Sequence, residues 1–95
     1  MFFSVAANLT NVSRDLTVRE DSNMQLLCEA TGEPKPNITW LRVLKDGSSS
    51  EILHLGQTWA FPNVSRTASG TYRCTAENGF GTPVSHKVKV NVICK

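Results

Sequence analysis

The residues of this sequence best suited to covalent chemistry are three cysteines, Cys28, Cys74 and Cys94. Cys28 and Cys74 stand 46 positions apart. Each lies in phase with apolar residues at every second position: Met24, Leu26 and Ala30 around the first, Tyr72 and Ala76 around the second. Two thiols turned inward from facing sheets can close a disulfide, and a loop of that length corresponds to roughly 4 kcal/mol in the chain-entropy estimate. That is a large part of what a small domain has. Trp40 falls between the two, and Tyr72 stands two residues before the second. Cys94 is odd in number and follows Val92 and Ile93. It reads as a thiol whose partner lies outside this sequence or is missing, as one half of an interchain bridge, or as a reactive regulatory thiol.

Other chemistry finds little to work with. Metal binding would draw on the cysteines together with His54 and His86, which have no metal-like spacing. A Cys–His dyad would need a free, positioned thiol, and Cys94 is terminal. Asp15, Glu20, Asp21 and Glu29 are scattered over turns and strand edges, where solvated carboxylates are the rule. No glycine-rich loop joins a strand to a helix. The expectation is that the chain is not an enzyme and takes no cofactor and no metal.

A different modification chemistry is well represented. Asn-x-Ser/Thr occurs at Asn8, Asn11, Asn37 and Asn63, never with proline in the middle. Composition alone predicts roughly 1.3 such triplets, so four is an excess. These are acceptor sites for N-glycans, and they imply the secretory, oxidising compartment that a disulfide also requires. Asn8 and Asn11 are three apart, so simultaneous occupancy would crowd them.

The elements that position these residues read as strands. Apolar residues recur every second position at Met24 to Ala30, Ile38 and Trp40, Trp59 and Phe61, Tyr72 to Ala76 and Val84 to Val92. Turn signals separate the runs: Glu20 to Asn23, Gly32 to Pro36, Asp46 to Ser50, Ser69-Gly70 and Asn78 to Gly81. Short strands at that spacing predict an all-β sandwich or barrel. The chain has 95 residues, of which 40% are hydrophobic and 19% charged, with a net charge of +2. This is one domain's length, it exceeds the apolar content of disordered chains, and it is small enough for a covalent staple to matter. No run of like charge suggests nucleic acid, and no apolar stretch approaches the roughly 18 residues of a membrane helix. Met1-Phe2-Phe3 lacks the basic start and long apolar middle of a signal peptide. The expectation is a single domain over 1–95 taken from a larger, multi-domain extracellular chain.

Cys28, Gly32, Pro34, Pro36, Trp40, Gly70, Tyr72, Cys74, Ala76, Asn78 and Gly81, with the run Ser69 to Gly81, resemble an immunoglobulin-superfamily domain of the intermediate (I-set) type over essentially the whole chain. Gly-Glu-Pro-Lys-Pro before Trp40 is similar to the second and later domains of neuronal and synaptic adhesion molecules of the IgLON, lachesin and MAM-containing GPI-anchored groups. The resemblance implies a two-sheet Greek-key sandwich with one inter-sheet disulfide, Cys28 to Cys74. It also implies that Trp40 packs on the bridge and that the Tyr72 hydroxyl returns to the backbone near Arg66 to Ala68. The short interval between Trp40 and Trp59 argues against the variable type with its extra strand pair. Ala68 departs from the pattern, which usually has an Asp there that braces the corner through an arginine on the strand called D in such domains; that salt bridge is expected to be absent, with the corner still formed by Tyr72.

What remains is binding by surface. If Ile38 and Trp40 point inward, Thr39, Leu41 and Val43 point out, beside Thr71, Arg73, Thr75 and Glu77 and, one strand further, Ser85, Lys87 and Lys89. Leu41, Arg73 and Lys87 form the candidate interface, an apolar centre beside an arginine able to pair a carboxylate. Against it stands the ordinariness of isolated exposed apolar residues. Phe80, in the Asn78 to Gly81 hairpin, is a second candidate anchor. Asn8, Asn11 and Asn63 are expected toward the opposite sheet or the ends, and Asn37 at one edge of the face. The implied role is cell-surface adhesion or receptor recognition of a protein partner, homophilic or heterophilic, in a membrane-anchored parent protein. The rival reading is a rigid spacer in a tandem array. A third reading, an intracellular muscle-type domain with both cysteines as thiols, sits poorly with four sequons.

Overall fold

Alternating apolar and polar residues, interrupted by turn-forming clusters, give eight strands in the computed structural model, which describes residues 4–94. The Met1-Phe2-Phe3 start lies outside the described residues. The strands are β1 (Val5–Val12), β2 (Leu16–Arg19), β3 (Met24–Glu33), β4 (Asn37–Val43), β5 (His54–Leu55), β6 (Thr58–Phe61), β7 (Gly70–Glu77) and β8 (Val84–Ile93). A 3₁₀ turn at Arg66–Ala68 leads into β7.

They form two sheets, a three-stranded one ordered β1-β3-β6 and a five-stranded one ordered β2-β8-β7-β4-β5. The chain therefore changes sheets between β1 and β2. Ser13 makes that crossing rigid. Its backbone N–H donates to Leu27 O and its hydroxyl accepts the Leu27 N–H, while its carbonyl lies 3.0 Å from His86 Nε2. Only Gly56 and Gln57 separate β5 from β6, and among the described residues no further strand extends the three-stranded sheet beyond β6.

The inward positions meet between the sheets. Leu26, Cys28, Trp40, Cys74, Ala76 and Val88 are fully enclosed. The Cys28–Cys74 bond joins β3 to β7 with 6.4 Å between Cα atoms. Trp40 is the register partner of Cys74, and its indole N–H donates to Gly56 O. This enclosed set gives the sandwich its stability, because truncating any one of its large members leaves a cavity costing about 2–5 kcal/mol.

Trp59 closes the end of the core that a further strand would otherwise cover. Its ring lies 6.1 Å from Trp40, 4.5 Å from Phe61 and 5.6 Å from Tyr72, and it stacks on His54 of the opposite sheet at 5.4 Å. His54 Nε2 is also 2.8 Å from Thr58 O.

Candidate functional site

Strand periodicity turns one residue in two outward, and register decides which outward residues become neighbours. On the five-stranded sheet Leu41 pairs with Arg73, and Arg73 with Lys87. These three candidate residues form one row across β4, β7 and β8. The next row is Val43, Thr71 and Lys89, and on the other side lie Thr39, Thr75 and Ser85, with Leu55 beyond Thr39. Directly opposed side chains of such rows sit about 4.5–5.5 Å apart at Cβ.

The face has two chemical halves. Toward β5 it is apolar: Leu55 is 68% exposed, Leu53 47% and Ile52 57%. Toward β8 it is basic, with Arg73, Lys87 and Lys89, and no carboxylate stands in either of the two rows that hold them. Glu77 lies at the far end, opposite Asn37. Asp15 lies at the β8 edge, where it accepts the Lys89 backbone N–H.

Leu41 is half-buried rather than exposed as the sequence suggested, and so are Thr39 and Val43. The reason is the segment between β4 and β5. It folds back along β4, with Ser49 bridging to Val43, Ser50 N–H donating to Arg42 O, and Leu53 N–H donating to Trp40 O. Ser49 also accepts a hydrogen bond from Arg73 Nη2, and Arg73 Nε is enclosed without a hydrogen-bond partner. The loop thus holds the guanidinium against the sheet.

The four sequons divide between the sheets. Asn8 pairs with Thr31 and Asn11 with Glu29, on the outer side of the three-stranded sheet. Residues three apart on a regular strand point to opposite faces, but a register shift between Leu9 and Asn11 turns both asparagines the same way. Asn63 follows β6 with φ +49°, a conformation asparagine tolerates. Asn37 is on the five-stranded sheet, facing out with Glu77 beside it. Among the described residues all four carboxamides are exposed and unbonded, whereas Asn78 and Asn23, outside any sequon, are tied down. Asn78 Nδ2 donates to Val5 O and Pro34 O, and Asn23 Oδ1 accepts the Asn63 N–H.

The remaining candidates stay apart. His54 and His86 make the separate contacts already described. Cys94 is exposed after β8, with Arg66 Nη1 3.9 Å from its sulfur. Phe80 is 43% exposed at the β7–β8 hairpin.

Tyr72 holds the corner as expected, its hydroxyl donating to Ala68 O at 2.5 Å. The brace is a residue the sequence reading passed over. Arg42 of β4 donates from Nη1 to Thr67 O at 3.0 Å and from Nη2 to Ser69 O, with its guanidinium carbon 5.6 Å from the centre of the Tyr72 ring. Ala68 stands where the resemblance expects an Asp, and this brace comes from a different strand, β4, with two backbone carbonyls as its acceptors. The signal was present: Arg42 is a charge in the inward phase of Ile38 and Trp40.

Comparison with known proteins places this geometry. Residues 8–78 match the family model for the immunoglobulin domain. IgLON family member 5 of Homo sapiens is 39% identical over 89 residues, covering 93% of this chain and 25% of the relative. Neuronal growth regulator 1 of Gallus gallus is 36% identical over 88 residues, covering 93% and 24%. The chain spans about a quarter of the length of these curated relatives. Among solved structures, that of Dpr11 IG1 bound to DIP-gamma superposes with a TM-score of 0.82 at 30% identity, over 94% of this chain and 48% of that one. That of Dpr2 Ig1-Ig2 with DIP-Theta Ig1-Ig3 gives 0.79 at 34% identity, over 94% and 32%. With the disulfide, the enclosed tryptophan and the tyrosine corner in place and the family model spanning most of its length, the chain belongs to the immunoglobulin domain family.

Proposed function

We propose that this domain is a protein-recognition module of a cell-surface adhesion molecule, one unit of a longer extracellular chain, and that it binds through the outer face of its five-stranded sheet. The observation that carries this reading is the single row Leu41, Arg73 and Lys87, set between exposed leucines and a basic edge whose two rows hold no carboxylate among the described residues. Support comes also from the relatives, which are IgLON-type proteins, and from structural neighbours such as the complex of Dpr11 IG1 with DIP-gamma. The two-halved chemistry selects a heterophilic partner, one with an apolar patch flanked by carboxylates. A second copy of the same face would bring more cations and no carboxylate to the central rows. Rim cations speed encounter and fix orientation, while the apolar centre supplies the desolvation on which affinity depends.

Sequons on the other sheet leave this face the broader protein surface. N-glycans at Asn8, Asn11 and Asn63 are therefore compatible with binding. The test is capture of the secreted, glycosylated domain by immobilised ectodomains of IgLON family member 5 and neuronal growth regulator 1, and by itself, at two salt concentrations. Salt-sensitive capture lost in Leu41→Glu is the expected result. Absence of capture at tens of micromolar, or capture indifferent to Leu41→Glu, replaces this reading with that of a spacer.

A further inference from the structure

Asn37 is the one sequon asparagine on the five-stranded sheet, and its surroundings differ from those of the other three. Its register partner is Glu77, and the next pair along is Thr39 with Thr75. These four, with Lys35 and Asn78, line an open groove of about 400 Å³. The volume is within the range of sites that hold small ligands, about 300–1,000 Å³. Its walls carry two hydroxyls, a carboxylate and an ammonium, groups that hydrogen-bond sugar hydroxyls and acetamides. The Asn37 carboxamide makes no hydrogen bond among the described residues and is exposed. Four residues on, in the same outward phase, stands Leu41, about 13 Å away at 3.3 Å per residue.

We propose that Asn37 carries an N-linked glycan whose inner sugars lie along this groove and gate access to the apolar end of the candidate row, at Leu41. The glycan's first sugar is attached at Asn37 Nδ2, so it starts on the face itself rather than beside it. Its nearest polar partners are Glu77 and the two threonines, and its direction of growth along β4 leads to Leu41. The basic half at Lys87 and Lys89 lies across the sheet and stays open. The proposal rests on the recognition reading for its consequence, which is that occupancy of one acceptor site sets whether a partner reaches the apolar half. Its test uses no partner, so failure here is distinct from failure to bind.

The experiment uses the domain secreted from a glycosylating eukaryotic host, in a Cys94→Ser background. Peptide mass mapping after enzymatic deglycosylation, which converts an occupied asparagine to aspartate, reads occupancy at Asn37. Single probes Glu77→Cys, Leu41→Cys and Lys89→Cys are then labelled with a polyethylene-glycol maleimide, before and after removal of glycans from the folded protein. N-ethylmaleimide normalises each thiol's intrinsic reactivity. The expected result is an occupied Asn37 and a several-fold rise in bulky labelling at the first two positions on deglycosylation, with little change at Lys89→Cys. Asn37→Gln should give the faster rates without enzyme, and Thr39→Ser, which keeps the sequon, the slower ones. An unoccupied Asn37 overturns the proposal. So do equal rates at Glu77→Cys and Leu41→Cys with and without the glycan.

Discussion

The guanidinium of Arg42 fills the space that a side chain at Gly70 would need: a Cβ there would stand 2.8 Å from Nη2 and 3.1 Å from Nε. Gly70 also has φ +149°, where other residues are strained. One glycine thus lets the chain turn into β7 and admits the arginine that holds the Thr67 and Ser69 carbonyls.

The coupling is measurable. Gly70→Ala should cost about 1–3 kcal/mol, from backbone strain and displacement of the guanidinium. Arg42→Ala should cost about as much, since hydrogen bonds from a charged group contribute about 1.5–3 kcal/mol. Contacting residues are not additive, and the double variant should lose clearly less than the sum of the two in chemical denaturation. Strict additivity would separate Arg42 from Gly70.

Tyr72 should behave as a buried phenol. Burial pushes its pKa above the ordinary 10.0, and Arg42 pulls weakly the other way. Because the folded-state pKa is the higher one, the contribution is fully present below about pH 10 and is lost as pH rises through the folded value. It is the sole tyrosine of the chain, so phenolate absorbance reports it alone. Tyr72→Phe should destabilise by about 0.5–1.5 kcal/mol at neutral pH through loss of the bond to Ala68 O. It should also flatten the alkaline decline relative to the parent protein. Equal pH profiles for the two would count against the corner.

Removing the Cys28–Cys74 bridge opens a 46-residue loop in the core. The paired substitution Cys28→Ala with Cys74→Ala should lower unfolding free energy by roughly 4 kcal/mol. Calorimetry at neutral pH measures it, and a midpoint close to that of the parent would assign stability chiefly to the Trp40 core.

Leu41→Glu should reduce stability by about 1 kcal/mol, more than at a fully exposed site, because the segment between β4 and β5 half-covers it. Circular dichroism melts give that figure, and capture by the partner ectodomain gives the functional one. Loss of binding far in excess of the stability change assigns Leu41 to the contact.

Strand phase was legible in the sequence, since alternation at Met24 to Ala30, Tyr72 to Ala76 and Val84 to Val92 reflects a backbone whose side chains switch faces at each residue. The disulfide pair, Trp40, Tyr72 and the outward set of Leu41, Arg73 and Lys87 were fixed by that local periodicity together with the recognised pattern of residues. Three features were not local. The same-side placement of Asn8 and Asn11 depends on a register shift against β3. The half-burial of Leu41 depends on how the loop of Ser49 and Ser50 lies back on β4. The brace from Arg42 to a turn 25 residues later depends on the approach of β4 to the corner. Sequence by itself determined which residues of a regular, unbulged strand face in or out, because phase is a property of a single strand. Tertiary structure alone decided which of them meet, because register, bulges and loop return are set by strands far apart in the chain.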